Sequence, residues 1–114
     1  MIQLEHVNLV VSDMEATLAF YRAAFPHWRV RDSARGEWYG KPRTWLHFGD
    51  DYQYLAFSDH GAGENRDLTG DRVGLAHIAF VTHNLDALVS RLEVAGFAPD
   101  KDGAEEPHRR NIYY

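Results

Sequence analysis

The stretch that decides the fold is residues 4–22, LEHVNLVVSDMEATLAFYR, because a strand, a polar break and a helix follow one another in it. His6–Val11 is rich in β-branched residues and too short for a helix, which is typical of a strand. Ser12 and Glu15 have the spacing of a capping box, in which the two side chains bond to free amides at a helix start. Apolar residues then recur at helical spacing: Met14, Leu18, Tyr21 and Phe25. Pro26 marks the end of this helix.

The same pattern returns later in the chain. A shift of 71 positions lays Leu4–Pro26 on Leu75–Phe97 without a gap, and five of the 23 pairs are identical. The second copy opens with the strand-like His77–Thr82, and Asn84 is its helix cap, with an acidic residue in the first turn. Gly96 lies where the second helix should stop. The repeat predicts two modules of similar fold.

Further strands are predicted between and after the two helices. Three lie in the first half: Trp28–Asp32, Thr44–Phe48 and Tyr52–Phe57. Short strands near Phe97–Pro99 and at Arg110–Tyr114 follow the second helix. The fold class is therefore α+β in a single domain, 1–114. Module one covers about 1–60, a linker about 59–71 and module two about 72–114, and module two lacks its last strand.

Composition excludes several function classes. The net charge of −5 argues against binding to nucleic acid, and no apolar run approaches the length of a membrane span. The chain has no cysteine, so disulfides, thiolate nucleophiles and cysteine-bound metals are excluded. The start of the chain has no basic region like that of a signal peptide. We expect a soluble, cytoplasmic protein without a nucleic-acid or membrane partner.

Alternation along the strands places the histidines on one side of the sheet. Val7, Leu9 and Val11 should lie beneath the first helix, which leaves His6 and Asn8 on the opposite face. His77 takes the equivalent position in module two, where Ala76, Ile78 and Phe80 should lie beneath the second helix. Trp45, His47, Tyr54, Ala56 and Ser58 share the histidine side by the same alternation. Such a polar and aromatic face suits a ligand cavity.

Two stretches, residues 4–22 and GLAHIAFVTHNLDAL at 74–88, resemble the vicinal oxygen chelate superfamily, the group of glyoxalases, bleomycin-resistance proteins and extradiol dioxygenases. Residues 111–114, NIYY, add weaker support. The resemblance implies two βαβββ modules that form a cupped mixed sheet around a divalent metal ion. It assigns His6 and His77 as metal ligands. The metal would be Fe, Mn, Zn or Ni.

The resemblance does not supply a complete ligand set. The carboxylate of the glyoxalase pattern falls at Ala56, or at Leu55 if the alignment slips by one, and neither residue binds metal. The final carboxylate of the pattern would lie beyond Tyr114. A set of two histidines and one carboxylate resembles the extradiol branch, whose tyrosine matches Tyr113, or Tyr114 by one residue. Truncation, a carboxylate from elsewhere and a decayed site are the explanations left open.

Three functions remain open. The first is a metal-dependent lyase, isomerase or ring-cleaving dioxygenase acting on a small substrate with vicinal oxygens. In it Tyr113 and His47 are candidate catalytic residues, and Asn8, Trp45 and Tyr54 are candidate substrate-binding residues. The second is a metal-free module that sequesters an aromatic or cationic ligand. The third is a domain that only associates with another chain.

An unpaired sheet edge usually finds a partner, so we expect a homodimer. The loops Ser33–Pro42 and Asp59–Asp71 are expected to form the rim of the cavity. The sequence carries no motif that identifies the substrate.

Overall fold

The described residues form six strands and two helices. The computed structural model describes residues 1–114, apart from the side chain of Asp102. In chain order the elements are β1 (His6–Val10), α1 (Met14–Ala24), β2 (Arg29–Trp38), β3 (Lys41–Gly49), β4 (Tyr54–Ser58), α2 (Leu85–Val94), β5 (Lys101–Glu106) and β6 (Arg109–Tyr113). The first four strands form a mixed sheet in the order β1-β4-β3-β2, and β5 pairs with β6. The α+β class is confirmed.

The register of the sheet confirms which residues share a face. Strand β1 runs parallel to β4, with His6 beside Tyr54 and Asn8 beside Ala56. Strand β3 runs antiparallel to β4, with His47 beside Ala56. Because neighbouring residues in register point to the same side, these side chains lie on one face, as alternation predicts. We call it the histidine face.

The opposite face of the sheet carries the core. Leu46, Phe48, Leu55 and Phe57 are buried there together with Trp28. The predicted inner residues of β1 and the apolar side of α1 pack against this cluster. Phe48 and Phe57 are fully buried, and such burial contributes about 1.5–3 kcal/mol per side chain. The prediction that α1 covers the apolar face is confirmed.

The start of α1 differs from the predicted capping box. Its N-cap is Asp13, whose side chain accepts a hydrogen bond of 2.9 Å from the backbone N–H of Ala16. The predicted cap, Ser12, lies one residue before it. An aspartate N-cap satisfies an orphan amide, here that of Ala16, without a reciprocal glutamate. In α2 the predicted cap is confirmed, because Asn84 accepts from the N–H of Ala87.

Strands β2 and β3 are longer than predicted. The polar residues 33–38 continue β2, and Ser33–Pro42 is therefore not a loop. Tyr39 and Gly40 both have positive φ, 49° and 77°, which is the geometry of a tight type I′ hairpin turn. Residues 33–37 are exposed on both faces of the edge strand, so no alternation of apolar and polar residues extends the predicted strand Trp28–Asp32 through them.

Module two departs further from the prediction. The segment His77–Thr82 forms no strand within the described residues. In module one the equivalent strand, β1, forms its backbone hydrogen bonds with β4. In the described part of module two the sheet consists of the β5–β6 hairpin, and His77–Thr82 does not join it. Phe80, expected beneath α2, instead places its ring 4.9 Å from that of Phe25.

The predicted strand at Phe97–Pro99 is also wrong, since β5 begins at Lys101. The N–H of Phe97 bonds to the carbonyl of Leu92 and that of Gly96 to Glu93. With φ of 92° at Gly96, these bonds form a Schellman motif that ends α2. The Phe97 backbone therefore closes the helix and its ring packs 5.3 Å from Phe20 on α1.

The two modules meet at their helices. Arg91 of α2 donates hydrogen bonds to the carbonyls of Ala23 and Ala24 at the end of α1. These carbonyls have no partner within their own helix, so a guanidinium there satisfies them and complements the helix dipole. The described residues contain no helix long and apolar enough to cross a bilayer.

Candidate functional site

Four rings form a continuous row on the histidine face, and we call it the ring row: His6, Tyr54, His47 and Trp45. The ring of His6 stacks on Tyr54 at 4.8 Å, and Tyr54 stacks on His47 at 4.4 Å. Trp45 continues the row at 4.9 Å from His47. The row crosses β1, β4 and β3 because these strands are neighbours in the sheet. The structure therefore brings four of the predicted site residues together.

A carboxylate lies at the β1 end of the ring row. One oxygen of Glu5 is 2.8 Å from Nδ1 of His6 and accepts a weaker bond of 3.3 Å from the Tyr54 hydroxyl. The bond to His6 lowers the pKa of Glu5, and the Tyr54 bond lowers it further. Glu5 is therefore ionised near neutral pH. A proton on Nδ1 of His6 would leave Nε2 as an acceptor.

Arg31 and Asp32, two charged residues of β2, reach the same face. The guanidinium of Arg31 lies over the Tyr54 ring, 4.5 Å from its centre, as a cation–π contact. Arg31 is the extra residue of a β-bulge, since Val30 pairs with Phe48 and Asp32 with His47. A bulge of this kind changes the direction in which a side chain points. It brings a positive charge to the ring row.

The local environment keeps both central rings neutral near pH 7. Burial lowers the pKa of His47 below its ordinary value of 6.5, and the nearby Asp32 opposes that shift. Burial and the Glu5 carboxylate raise the pKa of Tyr54 above 10. His47 is then an uncharged donor and acceptor, while Tyr54 keeps its hydroxyl proton.

The described residues of this face do not supply a complete set of metal ligands. Ala56, where the resemblance expects a carboxylate, lies buried between Asn8 and His47. In the part of the chain that the structure describes, no three His, Cys, Asp or Glu residues are grouped to hold a metal ion. A stable divalent site normally needs at least three protein donors. Asn8 is exposed beside the ring row and makes no side-chain hydrogen bond within the described residues.

The other predicted pair lies in module two. The ring of His77 meets that of Tyr113 edge-on at 5.9 Å, and both belong to the predicted set. The ammonium of Lys101 is 4.9 Å from the Tyr113 ring. The Tyr113 hydroxyl accepts a hydrogen bond of 3.4 Å from the Asn111 side chain. No ring contact joins His77 to His6 among the described residues. That the two histidines share one ion stays a prediction.

Sequence reasoning missed Glu5, Arg31 and Asp32. Alternation places Glu5 on the opposite side from His6, but it precedes β1, where the pleat does not yet fix its side chain. Arg31 reaches the face only because of the bulge in β2. No residue pattern announces such a bulge. The one sequence signal for these residues was that the charged Glu5 directly precedes His6.

Two surface depressions lie away from the ring row. One of about 420 Å³ is lined by α2, by the segment that follows it and by Tyr114 after β6, and it includes Glu93 and Phe97. The other, of about 280 Å³, lies near the β2–β3 turn and includes Arg35, Arg43 and Asp59. Neither contains a residue of the ring row, whose rings stand on an open face of the sheet.

The comparison with known protein families agrees with this fold. The sequence matches the family described as the glyoxalase/bleomycin resistance protein/dioxygenase superfamily over residues 3–109. No curated protein and no solved structure gives a significant match. The family match covers nearly the whole chain, including both histidine segments and both helices. The chain therefore belongs to the glyoxalase/bleomycin resistance protein/dioxygenase superfamily.

Proposed function

We propose that the protein binds a planar aromatic small molecule on the histidine face without a metal ion, as a sequestering member of its superfamily would. The observation that carries the proposal is the ring row, in which four rings in succession contact one another across three strands. Aromatic contacts of this spacing contribute about 0.5–1.5 kcal/mol each beyond the area they bury. A ligand ring that extends the row would gain a contact of the same kind.

The exposure of the ring row supports a binding role. The inner face of the sheet holds fully buried rings, whereas Trp45, His47 and Tyr54 are only half-buried and His6 is exposed. Rings needed only for the core would be covered by α1. Apolar rings with a few polar groups at one open surface are typical of small-molecule sites.

The charges around the ring row favour a ligand with polar substituents. Glu5 offers a carboxylate beside His6, and Arg31 offers a guanidinium over Tyr54. Because His47 is neutral near pH 7, the two central rings carry no charge of their own. A ring that carries both a donor and an acceptor group matches this surface better than a plain hydrocarbon does.

A titration in buffer with EDTA tests the proposal. Catechol, benzoate and proflavine serve as neutral, anionic and cationic planar probes, and quenching of tryptophan fluorescence reports binding. We expect at least one probe to bind. Tyr54→Leu should weaken its binding about tenfold, because the ring that stacks on both His6 and His47 and holds the row together is lost. The matched control is Tyr52→Leu, in the same hairpin but 87% exposed and outside the ring row.

Equal weakening in both tyrosine variants would refute a site on the ring row. Binding by none of the three probes would also count against the proposal. A circular-dichroism melt of each variant checks that Tyr54→Leu still folds. His47→Asn, a smaller change in the same row, should weaken binding as well.

A metal-dependent enzyme is the second candidate, and the contact between Glu5 and His6 favours it. Histidines that ligate a metal commonly bond their other ring nitrogen to a carboxylate, and Glu5 lies 2.8 Å from Nδ1 of His6. His6 and His77 would hold the ion, which would act as a Lewis acid on vicinal oxygens. A third donor from outside the described residues would be required, since Ala56 is not a ligand.

Metal analysis separates the two candidates. The chain is purified without chelator, and its divalent metal content is measured beside those of His6→Gln and His77→Gln. The binding protein should hold well under one ion per chain. About one ion per chain, lost in both variants, would favour the enzyme and contradict the metal-free proposal.

A further inference from the structure

Arg43 is held in place on the histidine face, two residues from Trp45 along β3. It lies on the same face as Trp45 and His47 by strand alternation. Its Nη1 donates a short hydrogen bond to Oγ of Ser58, which is fully buried. Its guanidinium also lies over the Trp38 ring, 4.7 Å from the centre. Stacking and the hydroxyl together fix the orientation of the positive charge.

This fixed charge has no counter-ion in the described part of the chain. Arg43 forms no ion pair there, and its buried Nε has no hydrogen-bond partner. Only Nη1 of its three nitrogens is used. A half-buried guanidinium with unused donors carries a desolvation cost that a bound anion would offset.

Space and a second positive charge adjoin Arg43. A depression of about 280 Å³ is lined by Arg35 and Arg43 together with Gly36, Pro42, Thr44 and Asp59. Gly36 is the register partner of Arg43, and a Cβ added to it would meet nothing within 4 Å. Arg35 pairs in register with Thr44, on the opposite face from Arg43, and lines the depression from the exposed edge strand β2. It forms no ion pair within the described residues.

The acidic residue of the depression is already engaged. One oxygen of Asp59 accepts a bond of 2.7 Å from the backbone N–H of Thr44, and the Asp59 N–H bonds to the Thr44 carbonyl. The carboxylate therefore ties the end of β3 to the loop that follows β4. Two arginines and one aspartate line the depression, so its lining residues carry a net positive charge.

We propose that Arg43 and Arg35 form a binding site for an oxyanion, a carboxylate or phosphate group on a small molecule, in this depression. Arg43 is the fixed donor, and Arg35 supplies the outer charge. Guanidinium groups suit this chemistry because their N–H groups match the spacing of two oxygens. The site is separate from the ring row and does not depend on it.

Nuclear magnetic resonance titrations at constant ionic strength test the site, with acetate and inorganic phosphate as separate probes. The indole N–H of Trp38 should shift with saturation for the oxyanion that binds. Arg43→Gln should weaken that binding about tenfold, because a charge-assisted bond is lost. The matched control is Arg29→Gln, which removes the same charge from an exposed arginine paired with Asp51.

The outcomes are distinguishable. Saturation by acetate alone assigns a carboxylate ligand, and saturation by phosphate alone assigns a phosphate ligand. No saturation by either probe overturns the site, and so does equal weakening in Arg43→Gln and Arg29→Gln, which indicates diffuse charge. Should Arg43→Gln fail to fold, Arg35→Gln replaces it, and unchanged binding in that exposed variant contradicts the proposal.

Discussion

Among the described residues, Tyr54 contacts four neighbours on the histidine face: the rings of His6 and His47, the guanidinium of Arg31, and Glu5 at its hydroxyl. Two of these neighbours are charged and two are rings. At residue scale, the ring row is therefore a coupled unit in which a change at Tyr54 affects every partner. Additivity of mutations should fail among these residues, as it does for side chains in contact.

The pKa of His47 gives a prediction at the same scale. Burial lowers it below 6.5, so the folded state binds a proton less readily than the unfolded chain. This contribution to stability is fully present above the unfolded pKa and is lost as the pH falls through the lowered folded pKa. The His47 ring should titrate below 6.5 in an NMR pH titration.

The matching stability measurement uses urea. The unfolding midpoint is compared at about pH 7.5 and about pH 5.5 for the protein and for His47→Asn. The variant should lose less stability over this range. A His47 ring that titrates above 6.5, or an equal loss in the variant, contradicts burial as the dominant cause.

Much of the candidate site follows from strand alternation. Alternation predicts that His6, His47, Tyr54 and Trp45 share a face, and the register confirms it. Arg31 was not predictable, because a single bulge in β2 changes the side to which the residue points. The exposed position of the site is likewise a property of packing that no single residue specifies.

At the scale of elements, the start of α1 depends on Asp13. Removing a helix cap typically costs about 1 kcal/mol. We expect Asp13→Ala to lower the free energy of unfolding by about that amount, because the Ala16 N–H loses its acceptor. Chemical denaturation measures the change.

Ser12→Ala is the matched control for that experiment. Ser12 stands one residue earlier and contributes no cap bond to α1. It should change the free energy of unfolding by under about 0.5 kcal/mol, as exposed substitutions usually do. A larger loss of unfolding free energy in Ser12→Ala than in Asp13→Ala would contradict the Asp13 cap and support the capping box that the sequence predicts.

Elements with a local signal were predictable, and those that depend on pairing were not. Helix α2 combines an Asn cap, an amphipathic pattern and a terminal glycine, and the structure has all three. The segment His77–Thr82 has the same residue pattern as β1 but forms no strand. Its composition is compatible with a strand, whereas a strand also needs a partner, and β1 finds one in β4.

At the scale of the molecule, the chain exposes more surface than its size requires. Its accessible area is 8895 Å², against about 6,400 Å² expected for a compact monomer of this mass. Its radius of gyration is 15.5 Å, against about 13 Å expected for a compact domain of this length. The difference is about 2,500 Å² for one chain, or about 5,000 Å² for two chains, which is at the upper end of what obligate dimers bury in total.

The exposed apolar residues support the predicted homodimer. Val73, Leu75 and Val81 are exposed by half or more in the unpaired segment of module two. Light scattering at micromolar concentration should give the mass of two chains. Val81→Lys should shift the equilibrium toward the monomer, because a charge would be buried at the interface.

Val94→Lys controls for the added charge. Val94 is as exposed as Val81, at 91% each, but it lies at the end of α2. The dimer should persist in this variant. A stable monomer in the unmodified protein would refute the dimer.

The most direct test of the central claim is an NMR spectrum of the side chains during titration with the best planar probe, in the presence of EDTA. The account predicts that the signals of His6, His47, Tyr54 and Trp45 shift together with one binding constant, while the Tyr52 signals stay in place. Saturable binding that leaves these four rings unchanged, or that appears only after a divalent metal is added, would contradict it.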